Sequence, residues 1–287
     1  MEPTTNDTEQ IQAGPPSLMM LCCQVIAVNA NSLESLDYIP DELVMAICER
    51  APGIQLAHVD RIVSADEYRM EVLQANTSIW HNRCRERWDQ QLQEICRKCN
   101  YARDRSYWKL IYLTGAIQDG LNTAALEGAP EVLAEIVDLA KDCVTSMSLQ
   151  HATRETLSIM SKNFQHLQVL DLTGCGLCGK EDARAVAQVM LAAPTLISAT
   201  LSKNELGKEN GITSIAVAVA KHNALVCLNV TWNSIDDQGA KALAQALQRN
   251  PHISMMDARW NDFSMDGRQK LLQVMKTRPS SLRLQLI

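Results

Sequence analysis

From Leu167 to Phe263 the chain repeats one template of apolar positions. Leu167-x-x-Leu170-x-Leu172-x-x-Cys175-x-Leu177 returns from Leu196, from Leu225 and from Ile253, with Asn204, Asn233 and Asn261 in the slot of Cys175. The starts at 167, 196, 225 and 253 are 29, 29 and 28 residues apart. Within each unit the alternating stretch predicts a short strand with its apolar side inward, and the apolar periodicity that follows predicts a helix. The clearest helix is Gly239 to Leu247, stopped at Asn250-Pro251. Weaker copies flank the array. Val144-x-x-Met147-x-Leu149 precedes a helix over about 152–160, and Leu284-x-Leu286 supplies a last strand. Such a unit cannot bury both faces alone, so consecutive units must stack.

The first half follows helical spacing instead. Behind Pro15-Pro16, Ser17 can cap a helix whose Leu18, Leu21, Cys22, Val25 and Ile26 fall on one stripe. Most remaining positions there are apolar too, which asks for cover on more than one side. Ile39-Pro40-Asp41-Glu42-Leu43-Val44-Met45-Ala46-Ile47 predicts a second helix, started by Pro40 and two acids and stopped at Ala51-Pro52-Gly53, with Leu43 and Ile47 on one face. Thr77 or Ser78 can cap a third, carrying Trp80, Cys84 and Trp88 at i, i+4 and i+8. From Tyr107 to about Leu139 the pattern stays helical, broken near Gly128-Ala129-Pro130. The division read from these patterns is a disordered lead over 1–16, a helical module over 17–113, a helical bridge and cap over 114–143, and repeats over 144–287.

The repeat template resembles the leucine-rich repeat in its longer, ribonuclease-inhibitor-like form, which implies an α/β solenoid of parallel strands with outer helices. Ser17-Leu18, Cys22 and Ile26 resemble an elongin BC box, as found in proteins with SOCS-type or von Hippel-Lindau-type boxes. Ile39-Pro40 with Leu43 and Ile47 looks like a cullin-binding box. The stretch from Ser32 to Leu56, with Trp80, Cys84, Trp88, Trp108 and Tyr112-Leu113, is similar in order and approximate spacing to elongin A. These resemblances imply that Leu18, Leu21, Cys22, Val25 and Ile26 bind elongin C, itself paired with elongin B. They imply further that Ile39, Pro40, Leu43 and Ile47 bind a cullin with its RING subunit, and that the chain is the substrate-recognition subunit of a ubiquitin ligase. Two other readings stay open at this point. One is an elongin A-like transcription elongation subunit; the other is a leucine-rich scaffold or inhibitor in which the N-terminal stripe is a core helix. The cullin-box pattern and the elongin A likeness point to different cullins.

In the repeats the positions between the inward apolar ones form rows: Asp171, Thr200, Asn229 and Asp257; then Thr173, Ser202, Thr231 and Arg259; then Gly174, Lys203, Trp232 and Trp260. All three rows are expected to be exposed. Tryptophans dominate interface energetics, so Trp232 and Trp260, with Lys203, Arg259, Asn229 and Asp257, are the candidates for holding a protein substrate. The alternative is that the two rings only stack over the loop rim.

Composition narrows the chemistry. A net charge of −6 speaks against a general nucleic-acid binder. The segment from Arg83 to Lys109 holds eight Lys or Arg, but its four interleaved acids read as a solvated face. No apolar run approaches the roughly 20 residues of a membrane span, and no leader pattern opens the sequence, so the expectation is cytoplasm or nucleus. The 10 cysteines sit in apolar patterns and are expected as free thiols. His81 with Cys84, Cys96 with Cys99, and Cys175 with Cys178 have metal-like spacing, but no zinc-binding turn accompanies them, so no metal and no cofactor are expected. The 6 histidines are scattered and no phosphate loop or nucleophile constellation is present, so the chain is not expected to be an enzyme.

Overall fold

Each repeat of the template becomes one rung of a parallel sheet. In the computed structural model, β1 (Ser146–Ser148), β2 (Val169–Asp171), β3 (Ser198–Thr200), β4 (Cys227–Asn229), β5 (Met255–Asp257) and β6 (Arg283–Gln285) pair in sequence order. The pairing is in register: Val169, Ser198, Cys227 and Met255 lie opposite one another, and so do Leu170, Ala199, Leu228 and Met256. The second series is buried, as the template requires. The structure describes residues 23–27, 39, 41–51, 55, 56, 59, 77–88, 107–127, 133, 134, 137, 138, 141, 142, 144–278 and 282–286.

The chain divides into two compact units, Met1–Glu86 and Arg87–Ile287. In the second, helices alternate with the strands. Helix α4 (Arg154–Asn163) follows β1, α5 (Gly179–Ala192) follows β2, α6 (Ile212–Lys221) follows β3, α7 (Asp237–Arg249) follows β4 and α8 (Met265–Thr277) follows β5. Leu243 and Leu247 of α7, Ile215 and Val219 of α6, and Val186 and Met190 of α5 are buried with the leucines of the strands. One apolar core therefore runs through every repeat. Gly239 exists because a Cβ there would stand 2.4 Å from Ile235 and 2.7 Å from Ile212.

Ahead of β1, helix α3 (Tyr107–Glu127) packs on the first strand and first helix of the array. Asn122 fixes that end, its Oδ1 accepting from the backbone N–H groups of Gln150 at 2.9 Å and His151 at 3.1 Å. Gly120 leaves room for Leu133, which a Cβ would meet at 2.9 Å. Arg87 donates to Asp119 at 2.6 Å and to the Tyr112 hydroxyl at 3.3 Å, and lies 5.3 Å from the Tyr112 ring centroid. The boundary expected between 113 and 114 falls inside α3, which runs through it without a break. Its apolar face, with Ile117 and Leu121 fully buried, is continuous across that point.

In the first unit, a helical segment at 23–27, α1 (Asp41–Arg50) and the start of α2 (Thr77–Trp88) share a core of Cys23, Ala27, Val44, Ile47, Cys48, Ala51, Leu56, Val59 and Ile79. Arg83 donates to the Glu49 carbonyl at 2.5 Å, placing a cation at the C-terminal end of α1.

Candidate functional site

The strand exits make the surface of interest, and those of β2, β4 and β5 open on the same bond. The side chain of Asp171 accepts the Thr173 N–H at 3.0 Å, that of Asn229 accepts the Thr231 N–H at 3.0 Å, and that of Asp257 accepts the Arg259 N–H at 3.2 Å. These Asx turns bend the chain out of the strand. The next residue then takes a left-handed conformation: Gly174 at φ 66°, Lys203 at 55°, Trp232 at 56° and Trp260 at 58°. Directly after it, the ladder asparagine closes the turn. Asn233 donates to the Leu201 carbonyl at 2.8 Å and to the Thr231 carbonyl at 3.1 Å, and accepts from the Leu206 N–H at 3.2 Å. Asn204 and Asn261 make the equivalent bonds to the preceding repeat, from Leu177 and to Leu172, and from Ile235 and to Val230. Cys175 keeps only one of these bonds, donating to the Leu149 carbonyl at 3.2 Å.

Trp232 and Trp260 are therefore carried outward on a backbone that suits glycine, which Gly174 occupies in the same register. A bulky side chain at positive φ is an outlier, held only where the surroundings impose it, and costs about 1–3 kcal/mol. The two indoles stack with centroids 5.1 Å apart and planes 17° from parallel. The separation is close to the strand spacing of about 4.8 Å, so the sheet itself sets the stack. Even so, Trp232 remains 52% and Trp260 61% exposed. Stacking over the rim and presentation to solvent thus hold together.

The other candidates divide. Lys203 is exposed one repeat before Trp232. Arg259 and Asp257 form a two-pronged ion pair, at 3.0 and 2.7 Å, and Asp257 holds the guanidinium above its ordinary value by that bond. Asn229 and Asp257 are half-buried and occupied in their turns. Ser202 and Thr231, expected in an exposed row, are buried at 7% each. They point into the tight strand exit, where the Ser202 hydroxyl lies 3.1 Å from that of Thr173.

A second ladder, on the opposite side of the repeats, is built from unlike residues that no repeating letter marks in the sequence. At the helix ends, His222 Nε2 donates to the Ala193 carbonyl at 3.0 Å while Nδ1 accepts from the Ala224 and Leu225 N–H groups. One repeat on, Asn250 donates to the carbonyls of Val219 at 2.6 Å and His222 at 2.7 Å. Further bonds cross repeats at the helix starts. Asp237 accepts from the Ser264 hydroxyl and N–H at 2.5 and 2.8 Å, and these bonds hold its carboxyl below the ordinary aspartate value.

In the first unit, Val25 is 63% exposed whereas Cys23 and Ala27 are buried in the core. At about 100° per residue, Val25 lies roughly 160° around the helix from both. Ile26 and Leu43 pack partly buried against that core, as does Ile39. Ile47, expected at a cullin-facing surface, is fully buried beside Val44 and serves the unit's own interior. The lead 1–16, Leu18, Leu21, Cys22 and Pro40 lie outside the described residues, as do Cys96 and Cys99.

Burial, with the nearby Asp171 charge second, pushes the Cys175 thiol up to about 12, so it stays protonated. Exposed Cys178 donates to Glu205, which also raises its pKa. Among the described residues no group of three or more His, Cys, Asp or Glu is gathered as for a metal ion. Among them, too, no helix is long and apolar enough to cross a membrane.

No curated protein matches the chain. A family model described as Leucine Rich repeat matches residues 165–187 and 221–244. Those segments hold β2 with the start of α5, and β4 with the start of α7. With the in-register parallel sheet, outer helices and asparagine ladder, the match makes the array of this chain a set of leucine-rich repeats, a scaffold for protein interaction.

Proposed function

We propose that this chain is a substrate-recognition subunit of an elongin BC-cullin-RING ubiquitin ligase, docking elongin C through its N-terminal unit and a protein substrate through the repeats. The observation that carries the recognition half is the exposed, stacked pair Trp232 and Trp260, held at positive φ. A solenoid that needed only to fold would place glycine there, as it does at Gly174.

The docking half rests on the likeness of Ser17-Leu18, Cys22 and Ile26 to a BC box. The outward Val25, on the helix face away from Cys23 and Ala27, supports it, because the proposed stripe includes Val25. Among the described residues of the cullin-facing set, Ile39 and Leu43 are only partly buried while Ile47 is given to the core, and Pro40 stays part of the reading. Catalysis belongs to the recruited conjugating enzyme, and this chain contributes proximity.

The test is reconstitution. The purified chain mixed with elongin B and C is expected to co-elute with them on gel filtration, and Leu18→Ala/Cys22→Phe to run separately. A wild-type chain that runs separately would leave a leucine-rich scaffold without a ligase role.

A further inference from the structure

The row that carries the tryptophans is polarised. Lys203, exposed one repeat before Trp232, has no ion pair among the described residues, and exposed Asp262, two residues after Trp260, has none either. Of the other charges at the strand exits, Arg259 pairs with Asp257 and Lys208 with Glu205, while Asp171 accepts from the N–H and hydroxyl of Thr173. Beyond Lys203 the row opens, since a Cβ at Gly174 or Gly176 would meet nothing within 4 Å. From one end to the other, the strand exits therefore present an open glycine floor, a free cation, an aromatic wall and a free anion.

We infer that this rim takes an extended peptide segment of another protein, with an acidic side chain on Lys203, a bulky apolar one against Trp232 and Trp260, and a basic one beside Asp262. The inference rests on the reading of the repeats as the recognition surface and supplies the chemistry of what they recognise. Scale supports it. Neighbouring strands are about 4.8 Å apart and an extended peptide advances about 3.3 Å per residue, so two rungs, from Lys203 to Trp260, match about three peptide residues. The acid and the apolar anchor should then sit two or three residues apart. A single-stranded nucleic acid could also stack on an indole, but one cation followed by an anion is the wrong charge pattern for a phosphate backbone.

The test selects a phage-displayed random heptapeptide library on the full-length protein. The expected result is enrichment of Asp or Glu two or three positions from Leu, Phe, Met or Trp, with Lys or Arg on the far side. Lys203→Glu should replace the acid by Lys or Arg while keeping the apolar position, a reversal that misfolding cannot produce. Trp232→Ala/Trp260→Ala should weaken the best peptide about thirty-fold, as for loss of an interface hot spot. Absence of enrichment, enrichment indifferent to Lys203→Glu, or tighter binding of an oligothymidine strand would overturn the inference. The two readings fail separately. If the peptides are selected but elongin C does not bind, the ligase role falls and the peptide site stands. If elongin C binds and the tryptophan variant loses a ubiquitinated protein without any peptide being selected, recognition stands and its peptide form falls.

Discussion

Replacing Trp232 or Trp260 by glycine should leave the protein more stable than replacing it by alanine, the reverse of the order found in ordinary strands and helices. Both substitutions remove the indole stack, about 0.5–1.5 kcal/mol beyond area burial, and what separates them is the backbone. Alanine keeps a Cβ at φ 56° or 58°, and so keeps a left-handed strain of about 1–2 kcal/mol. Glycine relieves that strain but adds about 0.5–1 kcal/mol of unfolded-chain entropy. Glycine should therefore lie above alanine by about 0.5–1 kcal/mol at each position, and the glycine variant close to the parent. Urea unfolding followed by far-UV circular dichroism reads the difference from the midpoints at constant slope. If alanine is the more stable at both positions, the backbone is not strained there and the argument that the tryptophans are kept for recognition loses its basis.

Other perturbations test the frame that holds this surface. Asn233→Ala leaves the Leu206 N–H without its partner, whereas the Leu201 and Thr231 carbonyls still accept from Asn204 and from the Lys203 N–H; at about 1–3 kcal/mol for a buried unmet group, a loss of roughly that size in chemical denaturation is expected, and a loss under 1 would remove the ladder's importance. Iodoacetamide at pH 8 should label Cys178 and spare Cys175 until urea unfolds the chain, and Glu205→Gln should speed Cys178 by removing the carboxylate that raises its pKa. Native labelling of Cys175 at the rate of Cys178 would contradict its burial. Because the folded pKa of Asp237 lies below its ordinary 3.8, its contribution is complete above that value and is lost as the pH falls through the folded value. Asp237→Asn should accordingly melt below the parent at neutral pH, with the gap closing on acidification below 3.8; a constant gap would contradict the assignment.

The solenoid was legible because its period is written in residue types. Leu170, Ala199, Leu228 and Met256 occupy one buried column, and Asn204, Asn233 and Asn261 repeat one hydrogen-bonding task in one slot. The tryptophan row followed from the same register. What the letters did not carry was conformation. Only Gly174 hints that its row is left-handed, since lysine and tryptophan give no sign of φ. The second ladder has no such signature, because Ala193, His222 and Asn250 fill one slot with three unlike residues, the first contributing only a carbonyl. Ile47 shows the same limit in the N-terminal unit. Apolar spacing puts it on one face with Leu43, but spacing cannot say which flank of that face meets the unit's own core, and Ile47 lies fully inside it while Leu43 is only partly covered.

On the proposed function, one chain carries two separable surfaces, one for elongin C and one for a target. Immunoprecipitation of the tagged chain from proteasome-inhibited cells reads elongin C and ubiquitin-conjugated partners together. Leu18→Ala/Cys22→Phe should lose elongin C and keep the target without its ubiquitin, whereas Trp232→Gly/Trp260→Gly should keep elongin C and lose the target. Recovery of no elongin C by the wild type, or loss of the same proteins by both variants, would contradict it.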